Sequence, residues 1–207
     1  MPAHPHVLEV LGLGFGWPGR RLFDHINLRI PPGVSLVTGD DGCGKSTLLR
    51  LLAGELQAQA GTFDVQGIGL ETQRSAYRQR VFWIDPQTEA HDAISAAGYL
   101  DSLRQHCPGF SADALADLVD GFSLMPHLHK PLYMLSAGSK RKVWLSAAFA
   151  SGAAVTLIDQ PFAALDGPSI RFLHELLLEV ADHPTRAWVL ADFQAPAGVP
   201  LASVIAL

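Results

Sequence analysis

Residues 39–47 read Gly39-Asp40-Asp41-Gly42-Cys43-Gly44-Lys45-Ser46-Thr47. The run fits G-x-x-x-x-G-K-[ST], with Gly39, Gly44, Lys45 and Ser46 at the fixed positions. Before it stands an apolar, β-branched strand, Val34–Thr38 (VSLVT), and after it a helix-forming run, Leu48–Leu56 (LLRLLAGEL). Strand, glycine loop and helix together make an anion cradle. Glycines let the backbone wrap closely around a phosphate chain and turn its N–H groups inward. The helix that begins near Lys45 adds the positive end of its dipole. Lys45 is placed to neutralise β- and γ-phosphates, and the Ser46 hydroxyl to ligate Mg²⁺. Gly39 through Thr47 therefore predict a nucleoside triphosphate site. A glycine-rich turn with a chance lysine is the alternative, and it needs neither flanking element.

The rest of the chain bounds what that site serves. Its 207 residues make one domain or slightly more, long enough to bury a sizeable core. With 48% hydrophobic and 17% charged residues, the composition is that of an ordered globular chain. A formal net charge of −5 gives no reason to expect a nucleic-acid partner. No run of eighteen or more apolar residues occurs, so no transmembrane helix is predicted. The start, MPAHPHVLEV, lacks the basic and long apolar regions of a signal peptide. Cys43 and Cys107 make no disulfide framework, and a disulfide at Cys43 would obstruct the phosphate loop. A reducing, cytoplasmic setting is expected.

Strands are predicted at Val7–Phe15, Leu22–Ile30, Gly61–Gln66, Val81–Ile84, Ala154–Ile158, Arg186–Ala191 and Val204–Leu207, with turns at Trp17–Arg20 and Gly67/Gly69. Between about 88 and 135 the pattern becomes helical, with Ala93–Arg104 and Ala112–Phe122 split by Pro108-Gly109-Phe110-Ser111, where Ser111 is the N-cap candidate. A helix follows Ser136, and Ser169–Ala181 is amphipathic. Strands alternating with helices predict a mostly parallel sheet; the early strands, joined by turns, predict an antiparallel sheet beside it. The expected fold is α/β in a single unit over 1–207, with a helical insert.

Leu135-Ser136-Ala137-Gly138-Ser139-Lys140-Arg141-Lys142 is the second informative stretch. A small, glycine-containing loop opening a helix suits phosphate, although a serine N-cap before an ordinary helix has the same look. About twenty residues on, Val155-Thr156-Leu157-Ile158-Asp159 is a buried strand ending in a carboxylate, the Walker B shape whose Asp supports Mg²⁺, and Ala163-Ala164-Leu165-Asp166 follows. In order and spacing, phosphate loop, LSAG signature, Walker B and ALD loop resemble the ATP-binding subunits of ABC transporters over nearly the whole chain. The short length and LSAG signature are similar to small exporter-type cassettes such as the haem-export subunit of cytochrome c maturation.

The resemblance implies a P-loop NTPase (RecA-like) core, an N-terminal antiparallel subdomain and a helical subdomain. It implies ATP and Mg²⁺ as ligands and Trp17 stacked on adenine, with a core tryptophan as the alternative. It implies two cassettes paired head to tail, with the phosphate loop of one facing Ser136, Ala137 and Gly138 of the other. It further implies a separate transmembrane permease subunit near Asp85–Ile94, and a cytoplasmic, peripheral location on the inner face of the membrane.

Three positions depart from the family pattern. Gln160 stands directly after the Walker B Asp, where the family has a Glu that polarises the attacking water. An amide orients water but has no useful basicity near neutral pH, and this exchange is also used deliberately to trap such cassettes with ATP bound. Asp192 stands at the switch histidine, where its charge would repel phosphate; it turns away, acts through water or Mg²⁺, or serves as a displaced base. The family's Mg²⁺-contacting Gln is displaced in VFWIDPQTEAHD, leaving Asp85 or Gln87 for the role, with a turn-stabilising Asp85 equally open. The pairs His4/His6 and His127/His129 lack the companions of a metal site. Two further readings stand beside the transport ATPase: a non-transport ABC ATPase, and a degenerate module that binds ATP and dimerises without turnover.

Overall fold

Nine strands and six α-helices build two sheets, with residues 6–207 described by a computed structural model. Met1–Pro5, including His4 of the His4/His6 pair, lie outside the described residues. The strands β1 (Leu8–Trp17), β2 (Arg20–Ile30), β4 (Ala60–Val65) and β5 (Ile68–Gly69) form an antiparallel sheet in the order β2-β1-β4-β5. The strands β3 (Gly33–Thr38), β6 (Val81–Trp83), β7 (Val155–Asp159), β8 (Ala187–Ala191) and β9 (Ser203–Ala206) form a parallel sheet in the order β6-β7-β8-β3-β9. The expected pairing of a parallel with an antiparallel sheet is the observed one.

The parallel sheet divides two cores. Along β8, Trp188 and Leu190 enter the core shared with the helical insert, while Val189 and Ala191 enter the one shared with the antiparallel sheet. Every residue of β7 and β8 is buried, which is why these strands read as continuous apolar runs without alternation. Helix α1 (Lys45–Leu52) has only 8 residues, too few to persist alone. Leu48, Leu49, Leu51 and Leu52, at 1% exposure or less, hold it against the second core. At about 1.5–3 kcal/mol per buried leucine, their burial outweighs the weak intrinsic helicity.

Helix α2 (Arg74–Arg80) had no clear signal; its sequence RSAYRQR buries only Tyr77, whose hydroxyl donates to Leu52 O at 2.7 Å. The insert carries α3 (Ala96–His106), α4 (Ala112–Gly121) and two single-turn 3-10 helices, Met125–His127 and Leu132–Met134. Helix α3 starts later than the expected Ala93 because Ser95 is its N-cap, accepting from Gly98 N. Ser111 caps α4 in the same way, through Ala114 N, as its sequence predicts. The insert leans on α5 (Ala137–Ala150) through an edge-to-face pair, Tyr99 against Trp144 at 4.8 Å, and on α6 (Gly167–Val180) through Phe122 against Phe172 at 4.8 Å.

The turn expected over Trp17–Arg20 is tighter than its sequence suggests. Only Pro18-Gly19 turns, and Trp17 pairs with Arg20. The two-residue connection lets both strands run to their tips and carries Trp17 out beside the phosphate loop.

Where α5 ends, Gly152 has φ +69° and a Cβ built there would lie 1.9 Å from Gly109 O in the insert. Gly152→Ala is therefore expected to destabilise the chain by about 3 kcal/mol, from the left-handed conformation plus a backbone collision. Thermal melts should show a fall of roughly 6–12 °C.

Candidate functional site

The phosphate loop sits on the carboxyl edge of the parallel sheet. Gly39, Gly42 and Gly44 have φ of 150°, 72° and 117°, and a Cβ at Gly44 would meet the Phe23 ring at 3.1 Å. Helix α1 has no side-chain cap, and its first N–H groups open onto the loop. A cavity of about 290 Å³ lies here. It is lined by Trp17, Leu22, Asp41, Gly42, Gly44, Lys45, Ser46, Thr47, Asp159 and Gln160, with Arg20 at its rim.

Each wall follows from local folding. Trp17, at the tip of β1, is 46% exposed and rests edge-on against Phe15 at 5.2 Å, so it is no core tryptophan. Arg20, across the turn, donates through Nη2 to Gly42 O at 2.8 Å and ties the hairpin to the phosphate loop. Sequence reasoning missed Arg20 and Leu22; the only signal was their closeness to Trp17 in the same hairpin. Lys45, 7% exposed, donates through Nζ to Gly39 O at 2.6 Å and Asp40 O at 3.0 Å. Cys43 is a free thiol of intermediate exposure behind the loop, and a Cβ on Gly39 would meet its Sγ at 2.8 Å.

Across the cavity from Ser46 stands the carboxylate of Asp159, 8% exposed at the end of β7. Burial pushes the Asp159 carboxyl up; the nearby Ser46 hydroxyl and the charges of Arg141 and Lys45 pull it down, and Asp85 adds to the rise. Among the described residues no cluster of three or more His, Cys, Asp or Glu forms a metal cage. One hydroxyl and one carboxylate are a fitting protein contribution for Mg²⁺, which keeps several waters and takes its other oxygens from phosphates. Gln160 follows in the left-handed region at φ 46°, its N–H donating to Ala191 O at 2.8 Å and its side chain exposed at the cavity. A non-glycine residue held there is a local strain that the fold enforces.

Not every candidate enters this cavity. Asp192 lines a neighbouring one and accepts, through Oδ1, from Phe193 N at 2.7 Å. Asp85 accepts from Gln87 N at 2.9 Å, a turn-stabilising bond, while still lying within electrostatic range of Asp159. Gln87 is exposed and outside the cavity. Ser136, Ala137 and Gly138 lie elsewhere on the surface. Ser136 Oγ caps α5 by accepting from Ser139 N at 3.2 Å, and a Cβ on Gly138 would meet Ala164 O at 2.4 Å.

The three basic residues that follow are engaged inside the chain. Lys140 pairs with Asp92 and Lys142 with Asp166, while Arg141 donates through Nη1 to Asp159 O at 2.8 Å. Arg141 is half-buried; desolvation lowers its pKa, and the charges of Asp159 and Asp192 oppose that.

The ABC transporter family profile matches residues 23–163. The chain belongs to the ABC transporter ATP-binding family. The cytochrome c biogenesis ATP-binding export protein CcmA of Pseudomonas syringae pv. syringae (strain B728a) is 34% identical to it over 186 residues, covering 88% of this cassette and 86% of the relative. The corresponding CcmA 1 of Cupriavidus metallidurans is 33% identical over 178 residues, covering 83% and 84%. Among solved structures, one described as the ATP binding subunit of an ABC transporter superposes with a TM-score of 0.85 at 22% identity, covering 97% of this cassette and 85% of that chain. That likeness is one of fold. The family binds ATP, usually with Mg²⁺, and no helix of the described residues is long and apolar enough to cross a membrane.

Replacing Asp159 with Asn removes a desolvated charge and keeps its shape. The nucleotide-free cassette should melt at the same temperature or higher, while the gain in ATP affinity on adding Mg²⁺ is lost. Because burial raises its pKa, Mg²⁺-dependent binding by the parent should decline as pH falls, at a higher pH than for an unperturbed aspartate. Thermal melts and titrations with and without EDTA, repeated across pH, check these outcomes.

Proposed function

We propose that this cassette binds MgATP in the cavity at Gly39–Thr47, pairs head to tail with a second cassette, and couples slow hydrolysis to transport through a separate membrane subunit. The observation that carries this reading is the convergence of Trp17, Lys45, Ser46, Asp159 and Gln160 on one cavity. Trp17 offers its exposed face to the adenine. Lys45, the loop N–H groups and the start of α1 hold the phosphates. Ser46 and Asp159 hold Mg²⁺, which neutralises phosphate charge when bound. Asp85, whose charge acts on Asp159 from outside the cavity lining, reaches the Mg²⁺ only through water; Gln87 is assigned no part.

The half-site needs completion. Ser136–Gly138 are not among the residues lining the cavity of their own chain, and the family's head-to-tail pairing gives them to the nucleotide of a partner cassette. The whole chain acts as one cassette, with about 88–135 as its helical subdomain and the stretch near Asp85–Ile94 facing the permease. Both CcmA relatives are named as export proteins of cytochrome c biogenesis, which supports an export role on the cytoplasmic side of a membrane.

Gln160 orients the attacking water without taking its proton. Loss of a positioned base costs about 10²–10⁴-fold in rate, so the ATP-bound dimer persists. Gln160 with Asp192 also favours a second reading, a dimerisation module that holds ATP without turnover.

Gln160→Glu is expected to raise steady-state phosphate release by at least about 10²-fold. ATP should convert the parent chain to a dimer in sedimentation. If Gln160→Glu dimerises on ATP yet releases no phosphate, the non-turnover module is the better description. Absence of both effects defeats the proposal. In the Gln160→Glu background, Asp192→Ala should leave turnover unchanged if Asp192 only positions its loop; a large loss would make it a catalytic residue.

A further inference from the structure

Lys45 Nζ has three partners within its own chain. An ammonium has three N–H donors. Two are given to Gly39 O and Asp40 O, at 2.6 and 3.0 Å. The remaining face of Nζ lies against the Phe193 ring, 4.5 Å from its centroid. Such a contact is favourable because the ring face is electron-rich, and it strengthens when the cation is shielded from water, as Lys45 is at 7% exposure. A phosphate oxygen must displace one of these three partners. The two carbonyl bonds shape the loop itself, so the ring is the partner that leaves most easily.

The segment around Phe193 is anchored and its ring is not. Asp192 N donates to Val37 O at 3.1 Å, Thr38 Oγ1 donates to Phe193 O at 3.1 Å, and Phe193 N donates to Asp192 Oδ1. The backbone is thereby fixed at the carboxyl edge of β3 and β8, while the side chain stays 50% exposed. Beside it opens a cavity of about 670 Å³, lined in part by Phe162, Ile170, Pro196 and Ala197. The ring over Lys45 thus borders a cavity walled in part by apolar side chains.

We propose that Phe193 tunes the nucleotide affinity of the phosphate site: its ring competes with the terminal phosphates for Lys45 and swings into the Phe162–Ile170 cavity when they bind. This rests on the nucleotide reading of Gly39–Thr47. It also gives the Asp192-Phe193 segment a role that needs no contact between Asp192 and phosphate.

The test uses the full chain and two measurements. Phe193→Leu keeps an apolar side chain of similar reach but removes the π face. It should tighten ATP binding in calorimetric titration by on the order of two- to thirtyfold. Ile170→Trp, which narrows the receiving cavity, should weaken ATP binding in the parent and change nothing in the Phe193→Leu background.

The chain has four lysines, so its lysine-labelled NMR spectrum is simple. The Lys45 ε-methylene signal, assigned by its loss in Lys45→Arg, should be ring-shifted upfield without nucleotide and relax when ATP is added. An unshifted Lys45 signal, or unchanged or weaker ATP binding by Phe193→Leu, overturns the inference. Lys45→Ala separates the two levels. If it abolishes ATP binding while Phe193→Leu does nothing, the ring competition alone fails. If it binds ATP as the parent does, the nucleotide site itself is wrongly placed.

Discussion

The site depends on the parallel register of three strands. Val37 of β3 and Asp159 of β7 both pair with Ala191 of β8, so the three strands end level. The ladder continues one step beyond them, through Gln160 N to Ala191 O and Asp192 N to Val37 O. That step brings the end of β3, the Asp159 carboxylate and Asp192 to one edge. A slip of one residue would turn Asp159 to the opposite face of the sheet, away from Ser46. Strands buried on both faces make such a slip costly, because every side chain would change partners.

The fold was legible where the pattern was strong and local. β3, β7 and β8 announced themselves as short, mainly apolar and β-branched runs between turn residues, and Ser111 and Ser136 marked helix starts by chemistry that needs no tertiary context. Helix α2 was illegible because it buries a single side chain, Tyr77, and carries no apolar stripe. The phosphate loop was legible because its glycines obey a backbone requirement written in consecutive residues. Arg20 and Leu22 were not, since they reach the cavity only through the two-residue hairpin turn. The contact between Phe193 and Lys45 joins residues far apart in the chain and follows no fixed spacing.

Lys140, Arg141 and Lys142 look like a basic patch in the sequence, yet each is directed to a different element. Lys140 reaches Asp92 in the insert, Arg141 the end of β7, and Lys142 the Asp166 that caps α6. The Lys142 hydrogen bond, with those to Ser169, holds the Asp166 carboxyl well below the usual carboxylate range. Partly exposed pairs of this kind contribute little net stability, about 0–1 kcal/mol each. Their effect is geometric: one helix fixes the insert, the end of β7 and the 163–166 loop relative to one another.

The loop before that helix is asymmetric in what it tolerates. Gly138 leans on Ala164 O, with a Cβ there reaching 2.4 Å, whereas the side chain of Ala137 next to it is exposed. Ala164 is itself held at φ 61°, so it is poorly placed to retreat. Two adjacent small residues in one motif are therefore small for unrelated reasons. The second is dictated from within the chain, and a methyl group there would pry the signature helix off the ALD loop. The first is answerable only to whatever approaches from outside, and an extra carbon there has cost this fold nothing.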